Sequence, residues 1–501
     1  MNVLFIIADQ HLATCMGHEG HPQAITPNLD RLAGQGMRFR QAYTQNPICT
    51  PSRTSMLSGQ YCHNHGYYGL SGPRPVSLPS LFSHFHSRGH KTAAIGNIHT
   101  PDFPRNWLEG HLDLFLDYFA AVDGQHWKTP FYENLRAQGL IEKEDVWFFH
   151  YNPAYALEGF PSKLTFEQSQ EGWSVDQAIR FMRACEGKPF CMQVSLQRPH
   201  QPFTPDQRFW DIYPADLALP PTLNQDPSGR PPHFRAMYDY ARKMKWPIKP
   251  DDFESGMRRL WRGYLACITH VDHAVGQLLD HLDRAKLAED TIVIYTADHG
   301  AYSGTHGIPE KAPGICSDAV CRVPLICRVP GVTNRKPGAV SNHLVELVDL
   351  TPTFASLCNL PPMQTVDGKD ISPILRDGDR ATAVHDVAVT ENVWSKAIRW
   401  KQWRFVHYPR QMFAGQDVGE LYDIASDPNE TKNLYADPAH QNIVTELRRL
   451  LTDWLISTTR AKTIWPAPGD DATKYPTAED GHESNTAGAA ERARSGMLNY
   501  L

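Results

Sequence analysis

Val3-Leu4-Phe5-Ile6-Ile7-Ala8-Asp9-Gln10 begins with an unbroken apolar run and closes it with two oxygen-bearing side chains. A run without polar alternation, rich in β-branched residues, is the pattern of a strand buried on both faces, as in a parallel sheet covered by helices. Residues 91–96, 190–196 and 291–297 supply further strands, with helical stretches between them. This order predicts an α/β fold with a large mixed, mostly parallel β-sheet sandwiched by helices. Asp9 and Gln10 fall at the carboxyl end of the first strand, the edge where open α/β sheets bind ligands. Two such side chains suit a hard cation, or else a capping Asp beside a solvated Gln.

Thr26, with Pro27 at the first helical position and leucines three apart after it, reads as a helix start. Residues 78–89 also read as helical, as do residues 257–285, where Leu260, Tyr264, Cys267, Ile268 and Val271 share one face. Residues 37–43 form an extended segment that delivers Asn46 and Cys49-Thr50-Pro51-Ser52-Arg53, and 54–59 is a helix ending at Gly59. Cys49 therefore stands at a helix N-terminus, where backbone N–H groups and the helix dipole favour an oxyanion. A cysteine there is either a small buried hydrophobe or a thiolate nucleophile.

Other candidate chemistry follows strand ends: Asn97-Ile98-His99, Arg198-Pro199-His200-Gln201-Pro202-Phe203 and Asp298-His299-Gly300, with Lys311 shortly beyond. Residues 101–170, rich in Trp, Phe, Tyr and Pro with little periodicity, read as an insertion shaping a pocket over the sheet, and the proline-rich stretch 220–250 as a loop. The turn Asp377-Gly378-Asp379 marks the expected end of a catalytic domain of residues 1–378. Residues 379–460 are expected to form a smaller C-terminal α+β domain with an antiparallel sheet and a helix. Residues 461–501 are expected to be a polar tail or oligomerisation arm, whose apolar end Met497-Leu498-Asn499-Tyr500-Leu501 suits docking.

The formal charge of -6 and pI near 6.5 give no basic footprint for nucleic acid. Ten cysteines without paired zinc spacing read as reduced, buried thiols. The first apolar run is too short for a membrane span and lacks the basic flank of a signal peptide. The expectation is a cytoplasmic protein with no membrane partner.

Cys49-Thr50-Pro51-Ser52-Arg53, in the context of the other strand-end motifs, resembles the signature of the formylglycine-dependent sulfatases. These belong to the alkaline phosphatase superfamily, and the likeness is to the arylsulfatase, choline sulfatase and phosphonate monoester hydrolase branch. The resemblance implies that a formylglycine-generating enzyme oxidises Cys49 during maturation and that the aldehyde hydrates to a geminal diol. One hydroxyl attacks sulfur or phosphorus, and loss of the proton from the second collapses the covalent hemiacetal ester and expels the group. By the same resemblance Asp9, Gln10, Asp298, His299 and an oxygen of modified Cys49 hold one divalent cation. Ca²⁺ is the family's usual ion, and the histidine ligand makes Mn²⁺ the alternative. Arg53 would orient the nucleophile, His200 and Lys311 would stabilise transferring or leaving oxygens, and His99 would take the remaining hydroxyl proton. Asn97, on the substrate side, replaces the family's lysine, so one positive charge is missing there.

The reading is a hydrolase of aryl or small organic sulfate monoesters, acting as a dimer or tetramer. One rival is a phosphonate monoester or phosphodiester hydrolase with the same nucleophile and metal site. The other is a non-catalytic metal-binding or assembly protein with unmodified Cys49.

Overall fold

The computed structural model describes residues 1–70, 78–101, 107–118, 127–311 and 315–460. The opening run becomes β1 (Asn2–Asp9), buried along its whole length. Successive side chains of a strand point to opposite faces. Leu4, Ile6 and Ala8 accordingly join one core, and Val3, Phe5 and Ile7 another. The first core is roofed by the helix Phe253–Arg284, through Val271, Val275 and Leu278, and by the helix Gln170–Ala184, through Val175 and Ala178. The second is closed by Met56 and Leu57 of the helix Cys49–Ser58, Phe82 of Leu81–His86 and Phe354 of Leu350–Leu357. With apolar neighbours on both sides, the run stays apolar until the strand leaves the sheet.

β1 lies between β5 (Phe190–Pro199) and β6 (Thr291–Ala297), parallel to both, with Val3 opposite Cys191 and Ile292. β3 (Lys91–Gly96) and β4 (Leu114–Asp117) extend the parallel array beyond β5. Beyond β6 the direction reverses. β8 (Leu325–Arg328) is antiparallel to β6 and to β2 (Met37–Tyr43), which pairs antiparallel with β7 (Arg322–Val323) and parallel with β9 (Ala339–Glu346). A separate antiparallel sheet runs in chain order through β10 (Ala388–Glu391), β11 (Lys396–Trp400), β12 (Trp403–His407) and β13 (Gly419–Asp423). The mixed, mostly parallel sheet between helices and the smaller antiparallel sheet are both those expected.

Two stretches differ from the sequence reading. Residues 220–250 are not loop throughout: Pro232–Lys243 is a helix, started by Pro232 at its first turn and seated by Phe234, Met237 and Ala241 on one face. The helix expected over 78–89 is shorter, Leu81–His86, and opens with a capping box between Ser80 and Ser83. Residues Met1–Arg449 make one compact unit; of the other, Leu450–Leu501, residues 450–458 are the end of the helix Gln441–Thr458. The expected tail, 461–501, lies outside the described residues. Among the described residues no helix is long and apolar enough to cross a membrane.

A buried histidine ties β9 to the segment before β10. His385 Nε2 lies 3.0 and 2.9 Å from the two oxygens of Asp349, and its Nδ1 lies 3.7 Å from Glu346. Glu346 also accepts from Tyr61 Oη at 2.5 Å and from the Val389 amide at 2.8 Å. Burial opposes the imidazolium, but Asp349 and Glu346 outweigh it and raise His385 from 6.5 to about 9. A raised folded value contributes stability that is full below the unfolded value and lost as pH climbs through the folded one. Unfolding free energy is therefore expected to fall, on the order of 1–3 kcal/mol, between about pH 6.5 and pH 9. Urea titrations across that window should show the slope in wild type and a flatter profile in His385→Asn.

Candidate active site

β1 and β6 run side by side with Ala8 beside Ala297, so the residues that follow, Asp9 and Asp298, emerge at the same carboxyl edge. The chain turns sharply at Gln10, φ 69°, and its amide donates to Asp298 Oδ1 at 3.1 Å. Cys49 is the first residue of the helix Cys49–Ser58, and Arg53 follows one turn later on the same face. The guanidinium is wholly buried. Its Nε donates to Asp298 Oδ2 at 2.8 Å, Nη2 to Asp9 Oδ2 at 3.2 Å, and Nη1 to Ser195 Oγ at 2.6 Å and to the Asn97 carbonyl. Asn97 Nδ2 donates to the same Asp9 oxygen at 2.9 Å.

With their Oδ2 atoms held this way, the carboxylates turn Oδ1 toward Cys49 and His299. Cys49 Sγ lies 3.9 Å from Asp9 Oδ1 and 3.2 Å from His299 Nε2, which is 3.8 and 3.7 Å from the Oδ1 atoms of Asp9 and Asp298. All four donor atoms fall within 4.8 Å of one another, a spread that one cation can bridge. The Gly300 carbonyl, 2.8 Å from His299 Nδ1, can only accept, so it fixes the ring proton on Nδ1 and leaves the Nε2 lone pair to the cluster. Lys311 Nζ donates to Gln10 Oε1 at 3.1 Å and approaches Cys49 Sγ at 3.5 Å. Gln10 Nε2 has no partner among the described residues, and its Oε1 keeps a second lone pair.

The electrostatics follow from this crowding. Burial alone would raise the Asp9 carboxyl, but His200, Arg53, Lys311 and His299 together hold it well below the usual carboxylate range. Burial also works against the Lys311 charge, yet Cys49, Glu310, Asp9 and Asp298 outweigh it and push the ammonium above its ordinary value. His200 and His99 are held down, His200 by burial and then Lys311, His99 by burial and then Arg53. His200 is tied to the site by its amide, which donates to the Asp9 carbonyl at 3.1 Å, and its Nδ1 donates to the Gln201 carbonyl at 2.8 Å. His99 is half-buried with φ 46°, just beyond the end of β3.

The structure thus brings Asp9, Gln10, Cys49, Arg53, Asn97, Asp298, His299 and Lys311 into direct contact through one network, with His200 bonded to its rim and His99 within its field. Sequence reasoning missed two features. Ser195 shares Arg53; its only signal was a hydroxyl in an otherwise buried strand. Asn97, read as a missing charge, is a hydrogen-bond partner of Asp9, which depends on the register of β3 and could not be seen in the chain order.

The family model described as Sulfatase matches residues 1–360. The chain belongs to the sulfatase family. As a member of it the protein is a sulfuric ester hydrolase. A second family description, N-sulphoglucosamine sulphohydrolase, C-terminal, matches residues 304–456 of this sulfatase. Its relatives include an ulvan-active sulfatase of Formosa agariphila, 26% identical over 89% of this chain and 79% of the relative. A choline-sulfatase of Rhizobium meliloti is 28% identical over 87% and 83%. The fold is shared with the solved phosphonate monoester hydrolase of Silicibacter pomeroyi, at a TM-score of 0.75 and 22% identity, over 91% of this chain and 96% of that one.

Asp9→Ala and Asp298→Ala are each expected to reduce the metal content of the purified sulfatase to less than about a tenth of wild type, because a hard cation depends on carboxylate when the other protein ligands are neutral. Each change also strands part of the buried Arg53 charge, so Asp9→Asn and Asp298→Asn, which keep the shape, separate loss of metal from loss of fold. Elemental analysis beside a thermal melt reads both.

Proposed function

We propose that the protein hydrolyses sulfate monoesters of aryl or small organic alcohols through a formylglycine made from Cys49 by a formylglycine-generating enzyme, with one divalent cation at the cluster. The observation that carries this is the place of Cys49 Sγ: first residue of its helix, 3.5 Å from Lys311 Nζ, and within 4.8 Å of carboxylate and imidazole ligand atoms. The sulfur marks where the oxygens of an oxidised, hydrated residue 49 would project. Asp9, Asp298, His299 and Gln10, with that residue, would hold the cation. The donor set fits a hard ion: two carboxylates, an amide oxygen with a spare lone pair and an imidazole fixed in the right tautomer. Ca²⁺ suits the oxygens, and the imidazole also admits Mn²⁺. When bound, the ion would offset charge on the transferring group and favour an ionised nucleophile.

The chain's own residues supply the rest. One hydroxyl of residue 49 attacks sulfur in line, the S–O bond to the alcohol breaks, and a covalent sulfate ester remains on the protein. Lys311 places its ammonium against the charge of the transferring group. A neutral His200, with Nδ1–H committed to Gln201, has only a lone pair at Nε2 and donates to the leaving oxygen after taking up a proton. His99, held neutral, takes the proton of the second hydroxyl as the aldehyde re-forms and sulfate departs. Arg53 holds Asp9 and Asp298 rather than substrate, so it sets the geometry in which residue 49 works.

Asn97 favours keeping a second reading on the same scaffold. Where the family has a lysine this chain has an amide that is spent on Asp9, so the site offers less positive charge to a doubly charged group. Phosphonate monoesters and phosphate diesters, singly charged like sulfate monoesters, fit this site as side substrates.

Cys49→Ala is expected to abolish turnover with the fold intact, while Cys49→Ser is expected to be sulfated once and trapped, gaining the mass of one sulfuryl group in intact-protein mass spectrometry. Steady turnover by the serine variant would remove the two-hydroxyl mechanism. Across aryl esters with one common leaving group, kcat/KM should rank sulfate monoester first, phosphonate monoester and phosphate diester next, and phosphate monoester last. A phosphonate or diester in first place transfers the assignment to the second reading.

A further inference from the structure

The assigned chemistry leaves a cavity of about 330 Å³ beside His200 unexplained, in the size range of a pocket for one small organic group. Trp127, Val146, Phe149, Ala156 and Pro202 supply apolar walls, and His150, Gln197 and Gln201 the polar ones beside His200. Among the described residues no carboxylate, lysine or arginine lines it. His200 is common to this cavity and to the Asp9 network, so an ester with its sulfuryl group at Cys49 would carry its alcohol here.

The wall is a built one. Val146 and Phe149 lie three apart on the helix Asp145–Tyr151 and so face the same way. Trp127 packs edge-on against Trp147 of that helix, ring centroids 5.0 Å apart, and against Tyr132 at 4.9 Å. The helix hangs from the strand that carries His200: Arg198 Nη2 donates to Asp145 Oδ2 at 2.8 Å, both side chains are buried, and Arg198 also pairs with Glu171. The distance between the aromatic wall and His200 is therefore set by an ion pair two residues from the histidine.

We propose that this pocket receives the alcohol portion of the substrate and selects a planar, uncharged aryl group, with Trp127 and Phe149 as the specificity-determining residues; this rests on the sulfatase reading of the site. A sugar would bring hydroxyls on every edge; Gln197 Oε1 and Gln201 Oε1 are unpartnered acceptors among the described residues, but the hydroxyls facing Trp127, Val146, Phe149 and Pro202 would be left without partners. A quaternary ammonium would find aromatic faces but no carboxylate to balance it. An aryl ring buries apolar surface on both faces and asks for neither.

The test uses the purified enzyme turning over 2-naphthyl sulfate, with 2-naphthol, glucose, choline and inorganic sulfate as competing ligands. In wild type, 2-naphthol is expected to inhibit at least tenfold more tightly than glucose or choline; either of those binding more tightly overturns the proposal. In Trp127→Ala and in the gentler Phe149→Leu, the inhibition constant for 2-naphthol is expected to rise at least tenfold, and KM for the naphthyl ester with it. The constant for inorganic sulfate, which reports the Cys49 side alone, should move less than threefold, and Trp127→Phe should restore most of the naphthol affinity. Loss of naphthol and sulfate binding together, or of neither, overturns it. If wild type hydrolyses no sulfate ester, the sulfatase reading fails separately, and calorimetric titration of wild type and both variants with 2-naphthol still decides the pocket.

Discussion

The site depends on one buried cation that belongs to the protein. Arg53 is fully enclosed and reaches both Asp9 and Asp298, which come from different strands and would repel one another at this spacing in a medium of low dielectric. Taking one oxygen from each carboxylate leaves the other free to face Cys49 and His299. The oxygens left over are directed into the cluster where a cation would sit, with the Lys311 ammonium facing them from the other side of Cys49 Sγ. The guanidinium is suited to this as an ammonium would not be, since its fixed fork of donors reaches several acceptors at once. Removing it would leave two buried carboxylates unpaired, a situation that costs several kcal/mol in general.

That arrangement exists because parallel strands end at a common edge. β1 and β6 hand over Asp9 and Asp298, β3 hands over Asn97 and His99, and β5 hands over His200. Residues far apart in the chain meet because each stands at or just beyond the carboxyl end of a buried strand. Gly96 shows how tight the convergence is: its φ is +109°, and a Cβ there would fall 1.9 Å from the Ser195 carbonyl, between the two strands that support Asn97 and His200.

Legibility in the sequence followed physical scale. β1 was readable because burial on both faces leaves an unbroken apolar word. Cys49, Asp298, His299 and Lys311 were readable as motifs in order. The helix Pro232–Lys243 was not, since the prolines around it outweighed a short apolar stripe that acquires meaning only when Phe234 and Met237 find a core. Nor were the partners of Arg53: a carbonyl at Asn97 and a hydroxyl at Ser195 are selected by strand register, which a chain read in order does not contain. The aromatic wall around Trp127 had composition but no period, and its arrangement is set by the long-range pair between Arg198 and Asp145.

Cys49 is 1% exposed, and every residue of its helix is buried. A second protein that acted on this thiol in the folded state would find it enclosed, with only the neighbouring Ile48 partly exposed. Under the proposed oxidation of Cys49, the thiol would have to be reached before the sheet closes over its helix, and a molecule that folded first would keep an unmodified thiol in place. Conditions that slow folding would raise the fraction converted, whereas stabilising the native state, ordinarily a benefit, would lower it in any preparation where the oxidising enzyme is scarce.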